Sequence, residues 1–127
     1  MPMPVAPTPT QNVEMPMAVA DDQAVVMSLA QAVLSGNRDL AHSVVRSLEQ
    51  GGAKAASVMT IIAAAYDQLY RARRNGITSV LSGSAEAVSD ESLAKITEIF
   101  IHSMDAVYAN PFTNLKLAVA QAFEVRG

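Results

Sequence analysis

Four interruptions of an otherwise helical pattern, Gly36, Gly51-Gly52, Gly76 and Asn110-Pro111, constrain this chain more than any other feature. Glycine supplies the left-handed backbone on which many helices end, and proline lacks the amide proton that would continue one. Between these stops the apolar residues recur at three- and four-residue spacing, the period of a helix with one buried face. Val25, Val26, Leu29, Ala32 and Val33 lead up to Gly36, and Asp21 and Asp22 are placed to cap the start and favour its dipole. Asn37 can cap the next helix, where Leu40, Ala41, Val44, Val45 and Leu48 mark one face before Gly51. So short a connection predicts that the first two helices form an antiparallel hairpin.

The third helix is the longest, predicted over Ala53–Asn75, with Val58, Met59, Ile61, Ile62, Ala65, Tyr66, Leu69 and Tyr70 on a broad apolar face. Alanines at 63, 64 and 65 let another backbone come close, so this helix belongs at the centre of the domain. Arg71, Arg73 and Arg74 complement its negative end, and Gly76 is placed as a left-handed cap. Ile77, Val80 and Leu81 either extend it or pack as a short turn, and Ser82 to Ser89 reads as a loop. Ser89, Asp90 and Glu91 then start a fourth helix with the stripe Leu93, Ile96, Ile99, Phe100, Met104 and Val107, predicted to stop near Ala109 because a residue before proline avoids helical geometry. Asn110 can cap a fifth helix with Pro111 as its first residue and Leu115, Ala118, Val119, Ala122 and Phe123 facing inward.

Composition agrees with an all-α fold. Half the residues are hydrophobic, only 5% are aromatic, and Ala, Val, Leu and Met predominate, which favours closely packed helices over a sheet sandwich. At 127 residues the chain is one domain in size. The reading is a five-helix orthogonal or antiparallel bundle over residues 21–127, preceded over residues 1–20 by a Pro-rich tail or linker. That tail holds five of the six prolines and one charged residue, and is expected to be semi-extended and disordered.

The same residues exclude several kinds of chemistry. Zero cysteines remove disulfides, thiolate nucleophiles and cysteine metal sites, and fit a reducing, cytoplasmic setting. A net charge of −3 spread along the chain gives no basic tail for charge-driven nucleic-acid binding, so direct contact with nucleic acid is left open and would need a local patch. No apolar run approaches the ~20 residues that span a bilayer. Neither a GxxxxGK[ST] phosphate loop nor a GxGxxG turn after a strand occurs, and His42 and His102 stand without HExxH or HxxE spacing. Asp67 lies four residues before Arg71 and is explained by an ordinary ion pair. No catalytic residue, cofactor, metal site or small-molecule substrate is assigned. The cluster YRARRNG, Tyr70 to Gly76, is the one concentration of charge, suited to an acidic partner surface or a nucleic-acid backbone. Met27, Met59 and Met104 fit core or adaptable interface positions.

The stretch LAQAVLSGNRDLAHSVVRSLEQGGAKAASVMTIIAAAYDQLYRARRNG, Leu29 to Gly76, resembles the C-terminal helical region of clamp-loader subunits of the bacterial replicative polymerase, DNA polymerase III, the delta subunit especially. The closing ANPFTNLKLAVAQAF, Ala109 to Phe123, is similar to the family's last corner, with matching positions at Asn110, Pro111, Leu115, Leu117, Ala118 and Phe123. The likeness extends from about Asp22 to Val125 and departs at Ser82 to Ser89, where the family has a more charged connection. It implies a non-catalytic collar domain through which clamp-loader subunits associate in DNA replication, as hetero- or homo-oligomers of the same fold. The interface residues it implies here are apolar side chains that a lone bundle could leave exposed, Val45, Ile62, Leu117 and Val125, with Arg71, Arg73 and Arg74 beside them. An apolar surface of several hundred Å² or more is the physical expectation for such an interface. The alternative is a small helical binding adaptor unrelated to replication that uses the Tyr66 to Arg74 surface.

Overall fold

The computed structural model describes residues 23–105 and 110–126. Within them the chain forms helices and no strand: α1 over residues 23–35, α2 Arg38–Gln50, α3 Ala55–Arg74, α4 Asp90–Ser103 and α5 Pro111–Arg126. The Pro-rich tail, the caps Asp21 and Asp22, and Val107 and Ala109 lie outside the described residues.

The first three helices end in one way. After α1, Gly36 donates to Val33 at 3.2 Å and Asn37 to Ala32 at 2.9 Å; after α2, Gly52 donates to Glu49 at 3.2 Å and Ala53 to Leu48 at 3.0 Å. After α3, Gly76 donates to Arg73 at 3.2 Å and Ile77 to Ala72 at 2.8 Å. Each pair of bonds satisfies helix-end carbonyls only if the residue between adopts positive φ, which Gly36, Gly52 and Gly76 do at 78°, 80° and 68°. Helix starts follow their side chains as well. Asn37 accepts from the Leu40 amide at 3.1 Å, Ser89 from Ser92 at 3.1 Å, and Asn110 from Phe112 at 2.9 Å with Pro111 as the first helical residue.

One boundary and one side chain differ from expectation. Helix α4 ends at Ser103, well short of Ala109: Met104 and Asp105 donate to Ile101 and His102 at 3.3 and 3.1 Å in a tightened last turn, and Asn114 of α5 satisfies the Ser103 carbonyl at 2.9 Å. Leu40, expected inward, is 43% exposed: the buried stripe of α2 begins with the next residue, Ala41, and Leu40 lies off its edge.

Contacts at opposite ends show how the helices run. Arg73 meets Asp90, and Thr60 donates to the Met104 sulfur at 3.2 Å, so α3 and α4 are antiparallel. Glu49 meets Lys116, and the Arg38 guanidinium lies 4.9 Å from the centre of the Phe123 ring, so α2 and α5 are antiparallel. Helix α5 packs on α2, α3 and α4. Tyr66 of α3 is fully buried: its ring meets Phe100 edge-to-face at 5.8 Å, and its hydroxyl donates to the Ala30 carbonyl of α1 at 2.8 Å. All five helices feed one core, and the loop between α3 and α4 joins it through Leu81, Ala85 and Val88.

Candidate interaction surface

The seven residues singled out from sequence fall into three groups. Val45 is 4% exposed and Ile62 is fully buried, so the expectation that a lone bundle leaves them at the surface is corrected. Val45 lies on the same stripe of α2 as Ala41, Val44 and Leu48, and Ile62 on that of α3 with Met59, Tyr66 and Leu69; both stripes face the core. Their burial is what a helical period of 3.6 requires of residues in phase with a core stripe.

The arginines divide. Arg73 is spent internally: it pairs with Asp90 at 3.0 Å and donates through its other terminal nitrogen to the Ala85 carbonyl. It therefore ties the end of α3 to the loop and to the start of α4. Arg71 pairs with Asp67 at 3.1 Å, the spacing read from sequence, and Arg74 lies 5.7 Å from the centre of the Tyr70 ring. Both of these remain exposed, and the turn that follows α3 carries Ile77 and Val80, 61% and 81% exposed. The helix end and the turn thus carry two cations and two bare aliphatic side chains.

Leu117 and Val125 are brought together. Leu117 is 43% exposed, and with the half-buried Val125 it lines an open groove of about 450 Å³ between α4 and α5. Ile99 and His102 face it from α4, with Lys95 and Glu98 at its side. Ile101, 44% exposed, adds a further bare aliphatic side chain to α4. Ile101 is not among the residues that line the groove, whose aliphatic side chains are the exposed Leu117 and the half-buried Ile99 and Val125.

Other residues that organise these surfaces had no signal in the sequence. Arg126, in the last described turn of α5, donates to the Leu34 carbonyl at 2.6 Å and so caps α1. Glu49 pairs with Lys116 at 3.0 Å and accepts from Asn110 at 3.4 Å, which links the end of α2 to the start of α5. The Lys116 ammonium foremost, and then Asn110, hold the Glu49 carboxyl below its ordinary value of 4.5. These contacts join residues 61 to 92 positions apart, and no local pattern announces them. Beside this pair, His42 and Arg46 of α2 and Lys116 of α5 edge a second recess of about 320 Å³, with Val45 and Val119 beneath.

His42 and His102 thus stand on different seams, and among the described residues no group of three or more His, Asp or Glu side chains is placed to hold a metal ion. Among the same residues no helix is long and apolar enough to cross a membrane. Compared with protein-family models, with curated proteins and with solved structures, the chain matches none.

Proposed function

We propose that this chain is a non-catalytic helical assembly module of the clamp-loader collar kind, acting in DNA replication through association with subunits of similar fold. The observation that carries the reading is the seam between α4 and α5: Leu117 and Val125, both implicated by the resemblance, line one open groove. That groove lies on the helix that begins at the Asn110-Pro111 corner, the second element of the resemblance. Helix α5 packs against both α3 and α4, which holds the two walls of the groove together. Arg71 and Arg74, also implicated by the resemblance, stand exposed at the end of α3, where they suit an acidic partner surface.

Solution mass by multi-angle light scattering tests this, on the chain alone and mixed with clamp-loader subunits from the same source. Defined hetero- or homo-assembly that Leu117→Glu abolishes is the expected result. A monomer that ignores every such subunit overturns it.

A second reading is favoured by one separate observation, the exposure of Ile77 and Val80 in the turn that follows Arg71 and Arg74 in the chain. In that reading the end of α3 is the contact of a small binding adaptor, with aliphatic side chains giving area and arginines giving orientation. It predicts a partner lost on replacing Arg71, Arg74, Ile77 and Val80 together by Ser, while Leu117→Glu leaves binding intact. The opposite pattern excludes it.

A further inference from the structure

We infer that the furrow between α2 and α5 is a docking site for an acidic amphipathic helix of a partner protein, distinct from the α4–α5 seam and independent of whether that partner shares this fold. The argument starts from the spacing of bases on α2. Arg38, His42 and Arg46 recur every four residues, so they form a single row along the helix, about 6 Å apart and about 12 Å from end to end. All three are exposed. Arg38 is held over the Phe123 ring of α5, and Arg46 has no ion pair among the described residues. Across the furrow stands Lys116, and the one carboxylate in the lining, Glu49, is already engaged by Lys116 and Asn110.

Each feature bears on the occupant. Two antiparallel helices leave between them a channel whose direction suits a third helix, and helix-in-groove recognition uses an apolar stripe with anchors at i and i+4. Val45 and Val119, only 4% and 1% exposed, sit at the base of a recess of about 320 Å³, large enough to take one side chain of the incoming helix. Carboxylates at i, i+4 and i+8 on the incoming helix repeat every ~6 Å, the same period as Arg38, His42 and Arg46, so the two rows stay in register. A free phosphate matches this furrow poorly: it would meet one or two of the bases, gain nothing from the floor, and find no helix N-terminus among the lining residues. The chain as a whole carries a net charge of −3, so its average field repels an acidic segment. Selective capture of such a segment therefore requires a local basic row such as this one.

The test uses the full chain and a fluorescein-labelled synthetic peptide of about 15 residues, near the length at which an isolated helix holds together, with Leu at i and i+4 positions flanked by a row of Glu. A second peptide has each Glu replaced by Lys. Fluorescence anisotropy is expected to show saturable binding of the Glu peptide alone, weakened about tenfold or more by Arg46→Glu and again by His42→Glu. Circular dichroism and thermal melting confirm that these exposed replacements leave the fold intact. Leu117→Glu and the pair Arg71→Ala, Arg74→Ala are expected to leave affinity unchanged, which separates this site from the surfaces of the proposed function. No saturable binding of the Glu peptide, binding indifferent to Arg46→Glu and His42→Glu, or equal binding of the Lys peptide overturns the inference. Displacement of the peptide by inorganic phosphate at matched ionic strength also overturns it, in favour of a simple anion site.

Discussion

Tyr66 shows how much a single side chain can organise in a helical core. It is one of the few aromatic residues in the chain, it is fully buried, and it joins α3 to α4 through its ring and to α1 through its hydroxyl. Tyr66→Phe keeps the ring contact and removes one buried hydrogen bond, so it is expected to cost about 1 kcal/mol in denaturant unfolding. The same replacement is expected to change the response to alkali. Burial raises the Tyr66 phenol above its ordinary value of 10.0, so the folded state disfavours the phenolate that the unfolded chain forms freely. Its contribution is complete below pH 10.0 and is lost as pH rises past that value, and the Phe variant is expected to lose stability less steeply there. Leu115 is the simpler case, fully buried on α5. Leu115→Ala is expected to destabilise by about 2 to 5 kcal/mol, and an unchanged melting temperature would contradict its placement. The inward position of Leu115 was legible in the sequence from period alone, as was that of Tyr66. Its hydroxyl bond to Ala30 was not, because that partner is set by how α1 crosses α3.

At the scale of elements, the glycine stops do unequal work although their backbone geometry is alike. A Cβ at Gly52 would meet nothing within 4 Å, whereas one at Gly36 would lie 2.9 Å from the Arg126 guanidinium carbon. Gly52→Ala therefore carries only the left-handed backbone penalty of about 1 to 2 kcal/mol. Gly36→Ala adds to this the displacement of Arg126 from the Leu34 carbonyl, a further ~1 kcal/mol or more. In a double-mutant cycle with Arg126→Ala the excess is expected to vanish, so that Gly36→Ala and Gly52→Ala cost nearly the same. Persistence of the difference would mean that the Arg126 contact is not its cause. The helix ends themselves were readable from Gly, Asn and Pro, since capping is local chemistry. The early end of α4 was not readable: the amide that satisfies its last carbonyl, from Asn114, belongs to another helix.

For the molecule as a whole, two links hold segments that helix packing alone would leave loose. Arg73 fastens the loop between α3 and α4 by binding Asp90 and the Ala85 carbonyl together. Arg73→Ala is expected to speed amide hydrogen exchange at Ala85 and Val88 by several-fold while α3 and α4 stay protected, the pattern of local opening. Uniform acceleration throughout would instead indicate global destabilisation. The second link is Glu49 with Lys116 and Asn110, whose depressed carboxyl gives it a direction in pH. Its contribution is present above the ordinary value of 4.5 and is lost as pH falls through the lower folded-state value. Lys116→Met is thus expected to narrow the gap in stability between neutral and acid solution, measured by thermal melting.

What the residues determined unaided is the all-α class, the number of helices, most of their ends and the stripe each one buries. All of that follows from interactions within about four residues along the chain, which propensity, capping and helical period describe. Tertiary structure alone decided which exposed residues share a surface. Val45 and Ile62 are no example of this, since their own period already called for burial, but Arg73 was consumed by Asp90 and Ala85, and Leu117 met Val125 along the α4–α5 groove. The row of bases on α2 was present in the sequence, but it became a furrow only when α5 brought Lys116 and Val119 opposite it. The physical reason is that a helix reports which of its faces is apolar, whereas the identity of the neighbour across a seam is set by the packing of ridges into grooves between distant segments.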